Sequence, residues 1–368
     1  MQHLNLSEDI LKALLDMGIK EASPIQAQAI PALLEGRDVI GQAQTGTGKT
    51  AAFAIPLIER IQQADKRVQA LVLCPTRELA LQVTGEIQKL TKYKRNLQAV
   101  AIYGGQPIER QLRALKQRPQ IIVGTPGRTM DLIQRNALML DAVQTVVLDE
   151  ADEMLNMGFR HDIEKILKQT PSARQTVFFS ATMSKSILEL TAKYQQQALH
   201  IAITQIDQPL VKIEQCYFEL QKAEKLSALT QLLKHHQVKR ALVFCNTKHG
   251  VDALAKKLRL AGYSAEGLHG GKTQNQRDQI MKNFRTGSTH FLIATDVAAR
   301  GLDVHSLEAV FNFDLPKDSE FYIHRIGRTG RAGKSGQAFT FVEAGEQKQL
   351  REIRRYPNVM LSRQDLPA

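Results

Sequence analysis

Apolar residues recur at helical spacing near the start of the chain, at Leu6, Ile10, Leu11, Leu14 and Leu15, and predict a helix over Leu6–Met17. Ser7 stands where an N-cap belongs and Gly18 where a helix stops. After a break at Ala22–Pro24 a second helix is expected through Ile30. The pattern then changes. Short continuous apolar runs at Val39–Gly41, Ala70–Cys74, Ala99–Tyr103, Ile121–Gly124, Thr145–Leu148 and Thr176–Phe179 alternate with helically periodic stretches. Runs of that length, separated by helices, predict strands of a parallel sheet covered on both faces. A second series follows at Ile213–Leu220, Ala241–Cys245, Phe291–Ala294, Ala309–Phe313 and Ala338–Val342. Between the two series, Thr204–Val211 has little periodicity and contains Pro209, and reads as a linker. The expected architecture is therefore α/β, with a mostly parallel sheet and helices on both faces in each of two domains. The boundaries are 1–203 for the first domain, 204–211 for the linker and 212–368 for the second.

The halves echo each other. Leu71–Thr76 (Leu-Val-Leu-Cys-Pro-Thr) matches Leu242–Thr247 (Leu-Val-Phe-Cys-Asn-Thr), each leading into a helix. Gly104 and Gly105 then match Gly270 and Gly271, and Ile122–Thr125 matches Leu292–Thr295, in the same order. A duplicated fold explains the series more simply than chance.

Composition adds constraints. A chain of 368 residues exceeds one ordinary core. No run approaches the roughly 18 apolar residues of a membrane span. The first residues lack the basic-then-apolar order of a secretory signal. Cys74, Cys216 and Cys245 show no metal-binding spacing and fit small buried thiols in a reducing cytoplasm. The net charge of +12 favours a polyanionic partner. Without a basic amphipathic helix or polybasic tail, nucleic acid is favoured over a membrane.

Two stretches carry chemistry. Ala43–Thr50 (Ala-Gln-Thr-Gly-Thr-Gly-Lys-Thr) sits between a strand and a helix, the setting of a phosphate-binding loop. Ala43, Gln44, Thr45, Gly46, Thr47 and Gly48 form the turn, and its two glycines let backbone N–H groups curl round a phosphate chain. Lys49 supplies charge for the β- and γ-phosphates, and the Thr50 hydroxyl a ligand for Mg²⁺. Ala43 stands where the usual pattern has its first glycine. The second stretch, Val146–Asp152 (Val-Val-Leu-Asp-Glu-Ala-Asp), is an apolar strand ending in acids. Asp149 is placed to hold Mg²⁺ and Glu150 to orient an attacking water.

Together these motifs resemble the DEAD-box RNA helicases over almost the whole chain, from about Leu6 to about Arg355. The resemblance implies two RecA-like domains that close on ATP and RNA. It also assigns residues. Adenine recognition falls to Gln26, within Gly18–Gln26. Met1, Ile19 and Ala22 stand where the family more often has an aromatic, Phe and Pro, so weaker adenine stacking is expected. Ser180 and Thr182 of Ser180–Thr182 (Ser-Ala-Thr) couple ATP state to RNA work through Asp152. In His324–Arg331 (His-Arg-Ile-Gly-Arg-Thr-Gly-Arg) three arginines recur at threefold spacing, and the resemblance makes Arg328 and Arg331 arginine fingers. Asp303 is assigned to the ATP ribose. RNA backbone contacts are assigned to Arg77, Gly105, Thr125 and Arg128, and to Gly271, Gln274, Arg277, Thr295 and Arg300. Glycines and threonines at strand ends offer N–H and O–H groups to phosphates without reading bases. The implied activity is RNA-stimulated ATP hydrolysis coupled to local unwinding of short duplexes. An ATP-gated RNA clamp and a DNA translocase of the same superfamily are the alternatives.

Overall fold

The computed structural model describes residues 1, 4–43, 46–203, 213–299, 307–317, 319–330, 335–356 and 359–367. The chain divides into two compact units, Met1–Gln208 and Pro209–Ala368. The residues read as a linker, 204–211, lie outside the described residues.

The first unit contains β1 (Val39–Gln42), β2 (Ala70–Leu73), β3 (Ala99–Ile102), β4 (Ile121–Gly124), β5 (Thr145–Leu148), β6 (Gln175–Ser180) and β7 (Leu199–Ala202). They form one sheet in the order β3-β4-β2-β5-β6-β1-β7. The second unit contains β8 (Ile213–Glu219), β9 (Ala241–Phe244), β10 (Ala265–Leu268), β11 (Phe291–Ala294), β12 (Ala309–Asn312), β13 (Gly336–Val342) and β14 (Ser362–Arg363). Their order is β10-β11-β9-β12-β13-β8-β14. Adding seven to each strand of the first sheet reproduces the second, so the echoed motifs occupy equivalent places. Every strand pairing in both sheets is parallel.

The central strands are apolar throughout because both faces are covered. In β2, Ala70 and Val72 join one core while Leu71 and Leu73 join another. In β9, Ala241 and Val243 face one core and Leu242 and Phe244 the other. Helices therefore cover both sides, and the loops at the carboxyl ends of the strands remain for chemistry.

Three strands were not expected from the apolar pattern. Edge strand β7 alternates, with only Ile201 buried. Strand β10 carries Glu266 among its four residues, and that carboxylate accepts from Asn283 Nδ2 at 3.2 Å and Thr289 Oγ1 at 2.8 Å. Strand β14 is two residues long. The first helix spans Glu8–Asp16 with Ser7 in the N-cap position. Its hydroxyl donates to Glu59 at 2.6 Å instead of capping the helix. The second helix runs on through Pro31 to Leu34, past the expected end at Ile30.

Candidate active site

The phosphate loop leaves β1 at the centre of a bonded framework. The Ala43 N–H continues the ladder to the Ser180 carbonyl at 3.1 Å. Gly46 and Gly48 have φ of 87° and 91°, left-handed values that suit glycine. Gly48 also caps the helix Lys49–Arg60. A Cβ on Gly48 would lie 2.5 Å from Gln26 Nε2 and 3.0 Å from Ser23 Oγ. Close approach thus requires glycine as firmly as backbone angle does. Lys49 is buried, and its ammonium donates to the Ala43 carbonyl at 2.9 Å. Gln26 Nε2 donates to the Gly48 carbonyl at 3.1 Å, and its Oε1 accepts the Ser23 N–H at 3.0 Å. One amide hydrogen and one lone pair of Gln26 remain for a ligand. The buried Ser23 hydroxyl lies beside it, in the capping turn that opens the helix Pro24–Leu34. Thr47 and Thr50 are half-buried along the same turn, whereas Gln44 and Thr45 lie outside the described residues. Met1 is buried in the adjoining core, and Ile19 and Ala22 pack against it.

Strand β5 delivers the acids. Asp149 is 3% exposed, and its Oδ1 accepts the Glu150 N–H at 3.1 Å. Burial pushes its carboxyl up to about 7; Lys49 opposes the shift and Glu150 adds to it. The buried thiol of Cys74 is likewise pushed up by its burial, with further contributions from Asp149 and Glu150. Glu150 is buried at φ 51°, ψ 52°, a left-handed conformation for a residue with a Cβ, at the head of the helix Ala151–Asn156. Strain of that kind costs on the order of 1 kcal/mol and fixes the direction of a side chain. Asp152 Oδ2 accepts from the Ala181 N–H at 3.0 Å, the Thr182 N–H at 2.9 Å and the Thr182 hydroxyl at 3.2 Å. The Ser180 hydroxyl donates within its own turn to the Thr182 carbonyl at 2.7 Å. Thr182 therefore bonds the acid directly, while Ser180 shapes the turn.

The residues assigned to RNA in this unit collect at the far half of the sheet. Arg77 opens the helix Arg77–Leu90, capped by Thr76, and its guanidinium lies 4.6 Å from the centroid of Tyr103. Gly105, with φ 79°, follows Tyr103 after β3. Arg128 Nη2 donates to the Gln106 carbonyl at 3.1 Å, and Thr125 caps the helix that carries Arg128. Arg77, Gly105, Thr125 and Arg128 thus follow β2, β3 and β4, whereas the phosphate loop and Thr182 follow β1 and β6. The acids on β5 lie between these groups.

In the second unit, Gly271, Gln274 and Arg277 follow β10. Gln274 opens a helix capped by Thr273 and donates to Asp278 at 2.8 Å. The Thr295 N–H donates to the Leu268 carbonyl at 3.3 Å, joining the ends of β11 and β10. These four residues occupy the place equivalent to the β3–β4 end of the first sheet. Arg328 is buried, with its Nε donating to the His324 carbonyl at 3.2 Å. Arg300, Asp303 and Arg331 lie outside the described residues.

One arginine of the threefold series received no role from the sequence. Arg325, the first of the threefold series, is 1% exposed. Its fork donates to Asp296 at 2.5 and 2.7 Å, to Asn246 at 2.8 Å and to the Asp314 carbonyl at 2.7 Å. It lies 5.0 Å from the Phe244 ring centroid. It ties the segments after β9, β11 and β12 to the helix Ser319–Ile326. The motif spacing marked it as an arginine of interest, but its partners are distant in sequence and gave no signal.

Among the described residues, no helix is long and apolar enough to cross a membrane. Known proteins share this arrangement. A family model described as DEAD/DEAH box helicase matches residues 23–190, and one described as helicase conserved C-terminal domain matches residues 224–333. The chain is 50% identical over 366 residues to the DEAD-box ATP-dependent RNA helicase CshA of Bacillus subtilis (strain 168), covering 100% of this chain and 74% of that one. It is equally similar to the protein of the same name from Geobacillus kaustophilus (strain HTA426), of which it covers 78%. Among solved structures, S. cerevisiae Dbp5 bound to RNA and ADP BeF3 is similar with a TM-score of 0.88 and 32% identity, covering 99% of this chain and 95% of that one.

Proposed function

The chain belongs to the DEAD-box ATP-dependent RNA helicases, and on that premise we propose how its residues divide the reaction. Residues 1–203 bind ATP, residues 204–211 link the domains, and residues 212–368 carry the arginine fingers. Gln26 offers its remaining N–H and lone pair to adenine. The loop N–H groups and Lys49 hold the phosphates. Thr50 and Asp149 would hold Mg²⁺, which when bound neutralises charge on the β- and γ-phosphates. Their chemistry fits: a buried carboxylate in need of a cation stands with a half-buried hydroxyl. Among the described residues no cluster forms a closed protein cage for a metal, and phosphate oxygens and waters usually complete a Mg²⁺ shell.

Glu150 orients a water toward the γ-phosphorus. A bond forms from that water oxygen to phosphorus, the bond to the bridging β-phosphate oxygen breaks, and ADP and phosphate leave. Arg328, Arg331 and Lys49 stabilise the charge of the transition state, an arginine finger being worth on the order of 10³-fold in related chemistry. Asp303 holds the ribose. Because the arginines and the phosphate loop belong to different domains, hydrolysis requires closure. RNA favours closure by binding Arg77, Gly105, Thr125 and Arg128 in one domain and Gly271, Gln274, Arg277, Thr295 and Arg300 in the other. A bent single strand fits the closed groove better than a duplex does, so closure separates short duplexes locally. The three bonds from Ala181 and Thr182 to Asp152 are the observation that best supports coupling, because they join the acid motif to the turn after β6. The three free, buried thiols support a cytoplasmic setting.

Displacement of a labelled strand from RNA, DNA and hybrid duplexes tests the proposal. ATP-dependent displacement from RNA alone is expected. Retention of RNA without displacement favours the clamp, and equal displacement from DNA favours the translocase.

A further inference from the structure

The turn after β10 is closed by the Lys272 N–H donating to the His269 carbonyl at 3.0 Å and braced by the His269 side chain, which has no role in the reading above. It is 5% exposed. Its Nε2 stands 2.9 Å from Asp252 Oδ2, and its Nδ1 accepts the Gly271 N–H at 3.0 Å. An ionised carboxylate only accepts and a backbone N–H only donates, so the two partners select the neutral ring protonated on Nε2. The charged groups around it are Asp252, Lys272 and Lys248. Lys272 donates to Asp252 Oδ1 at 2.7 Å, and the Lys248 stem passes 3.7 Å from where a Gly271 Cβ would be. That same Cβ would come within 3.0 Å of the imidazole, so the ring packs directly against the bare glycine.

This arrangement decides which donor the turn can offer. The Gly271 N–H is committed to the ring, whereas the exposed Gly270 N–H has no partner among the described residues. The equivalent place in the first unit is built differently. There the Gln111 side chain clamps Tyr103, accepting its N–H at 3.2 Å and donating to its carbonyl at 2.9 Å.

We propose that His269 is a positioning residue for RNA: its bare Nδ1 locks the turn from His269 to Thr273 so that the Gly270 N–H faces a phosphate. The proposal rests on the reading of this segment, with Gln274 and Arg277, as RNA-contacting, and it gives the backbone contact to the Gly270 N–H in place of Gly271, whose N–H the ring holds.

Two substitutions separate the ring's bonds. Asparagine places an amide oxygen near the position of Nδ1, and glutamine places an amide nitrogen near that of Nε2. Single-stranded RNA affinity is measured with a non-hydrolysable ATP analogue, alongside thermal melting. His269→Asn should bind RNA within about twofold of the native chain, and His269→Gln roughly tenfold more weakly, the effect of losing one well-placed contact. Thermal melting shows that each variant folds. Unchanged binding by His269→Gln, or equal losses in both variants, would overturn the proposal. Gln274→Ala separates the two levels. If it weakens RNA binding while His269→Gln does not, positioning by His269 fails; if neither affects binding, the RNA reading of this segment fails.

Discussion

Asp149 shows how burial perturbs a carboxyl at the end of a strand. Its folded value of about 7 lies above the ordinary carboxylate value of 3.8. The folded protein therefore holds this proton more tightly than the unfolded chain does, and ionisation opposes folding increasingly as pH rises from about 4 to about 7. Asp149→Asn removes that charge while keeping an oxygen for the Glu150 N–H. Without nucleotide, the variant should be more stable than the native chain at pH 8, by on the order of a few kcal/mol. The advantage should vanish near pH 4, as thermal unfolding at both values would reveal; an advantage unchanged with pH would contradict burial as its cause. Arg325 represents the opposite case, a buried charge fully surrounded by partners. Arg325→Lys loses the planar fork, and a loss of roughly 3 kcal/mol is expected from denaturant unfolding of the chain. A neutral result would mean that Asp296 and Asn246 find other partners. Much of the candidate site was legible at this scale, because Lys49, Thr50 and Asp149 sit at fixed spacings from glycines and strand ends. The bonds of Gln26 to Gly48 and of Thr182 to Asp152 were not, since they depend on rotamers and on segments far apart in sequence meeting.

At the scale of elements, the continuous apolar runs exposed the strands buried on both faces and concealed the others. Strand β10 was missed because Glu266 interrupts its run and finds partners only in the fold. Edge strand β7 alternates, and β14 is too short to leave a pattern. The repeat was more informative than any single run: Thr76 and Thr247 both end an echoed segment and both cap the following helix. Their settings differ, since Thr76 is buried and Thr247 exposed. Thr76→Ala should therefore cost about 2 kcal/mol and Thr247→Ala about 0.5 kcal/mol, the upper and lower parts of the range for cap removal. Equal costs in chemical denaturation would mean that burial does not set the strength of these caps.

At the scale of the whole molecule, the duplicated sheet gives each half the same arrangement of strand ends. In the first half the ends of β1, β5 and β6 carry the residues proposed as phosphate loop, acids and coupling turn. In both halves the opposite end of the sheet gathers residues proposed to contact RNA. A net charge of +12 supports such binding without identifying a sequence. Single-stranded RNA affinity should therefore depend little on sequence and fall steeply with salt. Arg128→Ala should reduce the slope of log affinity against log salt by about 0.7, the value for one lost phosphate contact. An unchanged slope would remove Arg128 from the RNA surface. The central claim, that RNA licenses hydrolysis, is tested most directly by steady-state ATP turnover with no nucleic acid, with single-stranded RNA and with single-stranded DNA, in the native chain and Glu150→Gln. Strong stimulation by RNA alone, abolished in Glu150→Gln, is the expected result; turnover that ignores RNA, or rises equally with DNA, would contradict it.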